Sequence, residues 1–184
     1  MRSLSWNCRG VNSENSTTIP YISDLRSKFS KFGCTGSMGV DALNFNGGLF
    51  VAWFSTSMLV KVEECTKNFI LCNISDGPYF YYLCFLYGAP KIEHREEVWE
   101  ALNDKFSSRQ GPLIMIGDFN QMEFADQKSG GSIYIPGEKK FTEWRIGNGL
   151  TELPSHGPAF MWCNNRRGGE LIHEQLNQAY CNED

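Results

Sequence analysis

The segment Leu113-Ile114-Met115-Ile116-Gly117-Asp118-Phe119-Asn120 runs four apolar side chains into a glycine and then sets a carboxylate and a carboxamide two positions apart. An apolar run of this length, bounded by Gly111-Pro112 and Gly117, predicts a strand buried on both faces that leaves its sheet at Asp118. Strand alternation then puts Asp118 and Asn120 on one side and Phe119 in the packing. Such a pair suits a metal-bound water and a phosphate. It equally suits an Asp turn closed by a local side-chain hydrogen bond. Two further polar strand ends, Ser5-Trp6-Asn7 and Tyr87-Gly88-Ala89-Pro90, are candidates to converge with it.

The elements that must position these residues follow from pattern. Leu4 and Trp6 alternate with polar neighbours, which predicts a short opening strand ending at Asn7. Thr18 is placed to cap a helix with Pro20 in its first turn, carried by Ile19, Ile22, Leu25 and Phe29 and stopping near Gly33. Residues 33–48 read as a Gly-rich connection with no strand in it. The runs 49–54, 58–63, 69–74 and 79–87 are β-branched or aromatic and predict antiparallel strands. Val98, Trp99, Leu102 and Phe106 share one face of a helix over 93–108. A last helix is expected over 138–146, ended by Gly147-Asn148-Gly149, with final strands at 160–163 and 176–180. Strand meanders mixed with helices predict an α+β fold in which two sheets form a β-sandwich with flanking helices.

Bulk properties set limits. The 184 residues suffice for a single domain, 1–184, with a substantial core. A formal net charge of -4 argues against a basic protein that wraps DNA, but is compatible with a metal-using nuclease, whose bound ion supplies the charge that meets phosphate. The seven cysteines show neither a C-x-x-C pair nor zinc spacing, so reduced thiols in an intracellular setting, nuclear or cytoplasmic, are expected. Met1 to Gly10 has no apolar leader, and the longest apolar stretch, 79–87, is too short to span a membrane; a monomer without a membrane is expected.

With Phe160-Met161-Trp162, the three polar strand ends resemble the endonuclease/exonuclease/phosphatase family. A narrower resemblance is to the endonuclease domain of plant LINE-type retrotransposons. It is carried by five fragments in order: Leu4-Ser5-Trp6-Asn7-Cys8-Arg9-Gly10, Gly47-Gly48 before a strand, Tyr87-Gly88 with Arg95 and Trp99, Gly117-Asp118-Phe119-Asn120 with Lys128-Ser129-Gly130-Gly131, and Gly157-Pro158 before Phe160 and Trp162. The resemblance implies a DNase-I-like four-layer fold and a Mg²⁺-dependent phosphodiesterase acting on DNA. Catalysis of that kind needs positive charge at the phosphoryl oxygens and a water aligned with the leaving oxygen. By the resemblance Asp118 orients or deprotonates the water, Asn120 bonds the phosphate or the nucleophile, and Asn7 supports both metal and phosphate. Tyr87 reaches a phosphate oxygen, or simply fills the sheet edge. Arg167, beside Arg166, contacts a phosphate or forms a solvated turn.

The departures from the pattern are as informative. The family carries a metal-binding Glu at the end of a second strand, expected around 33–46, where this sequence offers only Asp41. Met161 stands where a hydroxyl residue is expected, and Asn177 where an Asp is. The sequence given stops at Asp184, before the family's terminal Asp-His, so the fold is expected to be incomplete. His94, His156 and His173 are expected on the solvated surface and Cys8 as a structural thiol. Loss of one positioned acid or base typically removes roughly 10² to 10⁴ of rate. The expectation is therefore a retrotransposon-derived endonuclease with little or no activity. A non-catalytic nucleic-acid-binding or relic protein, and a phosphatase of the same superfamily, are the alternatives.

Overall fold

A computed structural model describes residues 21–41, 48–154, 156–157 and 160–183, together with the backbone of 3–7. The chain forms two compact units, Met1–Tyr87 and Gly88–Asp184.

In the first unit, β1 (Ser3–Asn7) and β2 (Gly36–Val40) both pair antiparallel with β3 (Leu49–Trp53), in the order β1-β3-β2. A second group, β4 (Met58–Cys65), β5 (Phe69–Asp76) and β6 (Tyr79–Tyr87), is the antiparallel meander expected from the sequence. Helix α1 (Ile22–Ser30) lays Ile22 and Leu25 on Phe50 and Ala52 of β3, with Phe29, Cys34 and Phe54 at the margin of this cluster. The rings of Phe29 and Phe50 lie 5.3 Å apart.

Two expectations change here. A strand does form inside the stretch read as strandless, which corrects that reading: β2 occupies residues 36–40. Its glycines are the reason it was hidden. A Cβ on Gly36 would sit 2.3 Å from the Trp53 ring, and one on Gly39 would sit 2.7 Å from Ile22 Cδ1. Neighbouring side chains lie over the two glycines of β2, which leaves only Met38 and Val40 as its own apolar side chains. Asp41, the one acid of that stretch, serves the fold, since its Oδ1 accepts the backbone N–H of Ile22 at 2.7 Å. That satisfies a donor which the first turn of a helix leaves without an internal partner. Thr18, the expected cap, lies outside the described residues.

In the second unit, α2 (Arg95–Phe106) is followed by β7 (Leu113–Asp118), which pairs antiparallel with β12 (Asn177–Cys181). The short β9 (Thr151–Glu152) pairs with the other edge of β12. A small sheet has the order β10-β11-β8, from Trp162–Cys163, His173–Glu174 and Lys128–Ser129. Helix α3 (Glu138–Gly147) ends against Asn148, followed by Gly149 at φ 62°, as the sequence predicted. An aromatic core joins the layers: Trp99 of α2, Phe119, Phe141 and Trp144 of α3, and Tyr180 of β12. Trp99 and Trp144 are 4.8 Å apart, Phe119 and Tyr180 5.0 Å, and the indole N–H of Trp144 donates to the Trp99 carbonyl at 3.1 Å.

β7 departs from its expected burial. Leu113 and Met115 are buried, but Ile114 is half-buried and Ile116 is 41% exposed. One face, with Leu113 and Met115, is therefore buried, while the face carrying Ile114, Ile116 and Asp118 is partly exposed.

Candidate active site

β7 ends at Asp118, and the chain turns at once. Asp118 Oδ1 accepts the backbone N–H of Asn120 at 2.9 Å, and Asn120 adopts φ 50°. Such left-handed backbone is one that Asn tolerates better than most residues. The period-2 argument thus fails past Asp118, because Asn120 no longer belongs to a strand. Proximity comes from the turn instead. Phe119 points into the aromatic core as predicted, and its N–H donates to the Leu176 carbonyl at 2.8 Å.

Gly88 closes the other side. Its N–H donates to the Asp118 carbonyl at 2.7 Å, and its carbonyl accepts Asn120 Nδ2 at 2.7 Å. The approach is so close that a Cβ on Gly88 would lie 2.1 Å from the Phe119 carbonyl oxygen. The Gly88 and Gly-Asp-Phe-Asn fragments, 29 residues apart by numbering (117 − 88), are therefore one clasp.

Arg95 is the cation of this site and was not singled out by sequence reasoning as a functional residue. Its Nε and one terminal nitrogen donate to the carbonyls of Ala89 and Pro90, each at 3.2 Å, and the other terminal nitrogen donates to Gln121 Oε1 at 2.7 Å. Burial lowers the guanidinium's pKa, while Glu174, Asp118 and Glu93 oppose that shift. An arginine stays protonated under such a change. A fixed positive charge thus lies within electrostatic reach of Glu174 and Asp118. The available signal was the arginine that opens α2, five residues after Pro90.

Buried amides carry this order outward. Gln121 Nε2 donates to the carbonyls of Met122 and Pro136, at 2.7 and 3.1 Å. Gln178 Nε2 donates to the Gln121 carbonyl at 2.9 Å. The Glu123 carboxylate is held by Arg145 through Nε at 2.7 Å and a terminal nitrogen at 2.8 Å. Lys128 and Glu174 form a partly buried ion pair at 3.7 Å.

The other predicted residues fall as follows. Asn177 stands directly opposite Asp118 in the β7–β12 ladder. Tyr87 ends β6 in the first unit and is 2% exposed, with backbone bonds to Asn68. Asn7 ends β1, and its side chain lies outside the described residues. Arg166 and Arg167 are exposed, with Arg166 3.8 Å from Glu170. His94 and His156 are exposed as expected. His173 is not on the solvated surface: it is half-buried in β11 with its ring stacked 5.9 Å from Phe160.

A Mg²⁺ ion is implied by the resemblance alone. Among the described residues no group of three or more His, Cys, Asp or Glu side chains is gathered to hold a metal ion. Asp118 is the carboxylate at the turn, and Oδ1 is engaged with Asn120. These donors do not fit an ion chelated by several carboxylates.

The mixed sheets with flanking helices make an α+β fold of the DNase-I-like class. Among solved structures, the chain is similar to the endonuclease domain of TRAS1, a telomere-specific non-LTR retrotransposon, with TM-score 0.60 and 18% identity over 88% of this chain and 78% of that one. It is also similar to the 3'-5' exonuclease NExo from Neisseria meningitidis, with TM-score 0.58 and 15% identity over 85% of this chain and 70% of that one. A structure of the 3' phosphatase NExo from Neisseria bound to a product DNA hairpin matches with TM-score 0.61 and 13% identity, over 98% of this chain and 75% of that one. No family model and no curated protein matches the sequence. Among the described residues no helix is long and apolar enough to cross a membrane.

Proposed function

We propose that residues 1–184 are one domain derived from a retrotransposon DNA endonuclease, of the plant LINE type, which keeps the frame of the phosphodiesterase site but hydrolyses DNA little if at all. The observation that carries this reading is the Asp118–Asn120–Gly88 clasp with Arg95 beside it. A carboxylate in a defined orientation, within electrostatic reach of a fixed cation and on a partly exposed sheet face, is suited to orienting a water against an anionic ester.

The low rate follows from what accompanies Asp118. In-line attack on a phosphodiester needs positive charge at the phosphoryl oxygens. The Arg95 guanidinium is committed to two carbonyls and Gln121, and Asp41 to a helix end. Asn177 is neutral where the resemblance expects an acid. Mg²⁺ belongs to the reading through the resemblance alone, which assigns Asn7 to the metal and Asp118 to the attacking water. Asn120 and Tyr87 are the proposed phosphate contacts, and Arg167 a contact to DNA outside the site. A monomer inside the cell is the setting this reading assumes.

Nicking of supercoiled plasmid in the presence of Mg²⁺ tests the proposal. Wild type and Asp118→Ala are expected to give the same near-background rate. Robust Mg²⁺-dependent nicking that disappears in Asp118→Ala would overturn it.

A further inference from the structure

The segment between β8 and α3 carries two large apolar side chains outward that the fold does not use. Ile133 is 87% exposed and Tyr134 is 73% exposed, while the next residue, Ile135, is 3% exposed and packs with Met122 and Leu176. A single exposed apolar residue needs no explanation. Two adjacent ones at the tip of a segment anchored on both sides are a different matter.

The anchoring is specific. On the near side Gly130 and Gly131 adopt φ 83° and 69°, and a Cβ on Gly130 would lie 2.2 Å from the Leu171 carbonyl oxygen. The backbone there is pressed against the chain leading into β11. On the far side Pro136 accepts Gln121 Nε2, and Gly137, at φ 81°, passes close to Gln121 Oε1, the atom that also receives Arg95. At the tip Ser132 Oγ accepts the N–H of Tyr134 at 3.1 Å. Gln121 therefore links this tip to the Asp118 clasp through adjacent chain and direct bonds.

Charge identifies what meets it. β8 and β11 are antiparallel, with Ser129 opposite His173, so the chain leaving β8 and the chain entering β11 emerge at the same end of the small sheet. The chain entering β11 brings the exposed pair Arg166 and Arg167 to that end. An apolar tip at the same end of this sheet as two guanidinium groups, that of Arg166 lying 3.8 Å from Glu170, fits a polyanion with stackable planar groups. Side chains such as Ile enter between base steps and unstack them, while Arg groups meet the phosphates.

We infer that Ile133 and Tyr134 form a wedge that enters a base step of duplex DNA, with Arg166 and Arg167 on the flanking phosphates. The inference rests on the reading of the chain as a DNA-directed domain and names the form of DNA it takes. A wedge makes the domain selective for steps that unstack easily, such as pyrimidine–purine steps.

The test uses a short duplex carrying 2-aminopurine at a TA step, read by anisotropy for binding and by 2-aminopurine emission for unstacking, with wild type and Ile133→Ser/Tyr134→Ser. Both positions are exposed, so the double variant is expected to melt at the wild-type temperature. Wild type is expected to bind at low salt and raise the emission. The double variant is expected to bind about tenfold more weakly, the order of one lost stacking contact, with no rise in emission at saturation. Arg166→Gln/Arg167→Gln is expected to weaken binding and lower its salt dependence while keeping the rise at saturation. Binding without a rise in emission, or an equal rise from the Ser variant, overturns the wedge and leaves the DNA-directed reading standing. Absence of duplex binding by wild type at low salt overturns both. Self-association that the Ser variant abolishes, with emission unchanged, also overturns the wedge by assigning the tip to a protein contact.

Discussion

Asn177 stands opposite Asp118 in the antiparallel β7–β12 ladder. Directly paired residues project from the same face, with Cβ atoms about 4.5–5.5 Å apart. A neutral amide, not a second acid, therefore sits across from Asp118. Asn177→Asp is expected to create a carboxylate pair on that partly exposed face, and two consequences follow. Without divalent ions the variant loses stability as pH rises above the carboxylate range, because two like charges then face each other. With Mg²⁺ in excess it recovers, because an ion binding the folded state alone raises the melting temperature. Thermal melts of both proteins with and without Mg²⁺ check this; a variant indifferent to Mg²⁺ would refute it.

The clasp predicts a sharp response at Gly88. Gly88→Ala forces a Cβ toward the Phe119 carbonyl, where the gap is 2.1 Å, so backbone must move. A loss of about 1–3 kcal/mol is expected, as for other overpacked sites. Gly77 offers the control: it has φ 59° and open space around it, so Gly77→Ala should show only the smaller penalty of a left-handed turn, about 1 kcal/mol. Urea unfolding of the two variants separates them. Equal losses would mean that the clasp is not tight.

Much of this was legible in the sequence, and the failures have physical causes. The β4–β6 meander and the helices at α2 and α3 are written in side-chain periodicity, which is a local property. β2 was invisible because its cover comes from Trp53, Ile22 and Phe50, residues distant in sequence, lying over glycines. β7 read as doubly buried because an apolar run does not say whether anything covers its second face. At the site, Asp118 and Asn120 were found from their place at a strand end. Their true relation, through a turn at φ 50° and a bond to Gly88, depends on backbone that alternation cannot describe. Arg95 was passed over as a site residue because its importance arises only when α2 returns beside Gln121.

The Glu123–Arg145 pair gives a prediction about stability alone. The Glu123 side chain is almost wholly buried, and Arg145 supplies both of its ionic hydrogen bonds. Arg145→Met strands a buried carboxylate and is expected to cost about 3–5 kcal/mol, whereas replacing both partners by apolar residues of similar size should cost much less. Denaturant unfolding of the single and double variants decides this. Equal losses would show that burial of the charge is not the main term.

Glu152 supplies a pH dependence of known sign. Burial raises its pKa above the ordinary 4.5, with Glu123 and Asp126 adding to the rise and Arg145 opposing it. The folded state therefore holds this proton more tightly than the unfolded state. The stabilising contribution is full below pH 4.5 and is lost as pH rises through the raised folded value. Glu152→Gln removes that loss. Its melting temperature should exceed that of wild type at neutral pH, and the advantage should vanish in acid. A constant difference across the range would assign the effect to packing.

The central claim is that the Asp118 turn keeps the frame of a phosphodiesterase site without its working donors. The most direct measurement is single-turnover hydrolysis of an end-labelled duplex by wild type, Asp118→Ala and Asn120→Ala with Mg²⁺ in excess. The account predicts three indistinguishable near-background rates, with all three proteins folded by near-ultraviolet circular dichroism of the Trp99–Trp144 core. A wild-type rate that stands well above background and collapses in Asp118→Ala would contradict it.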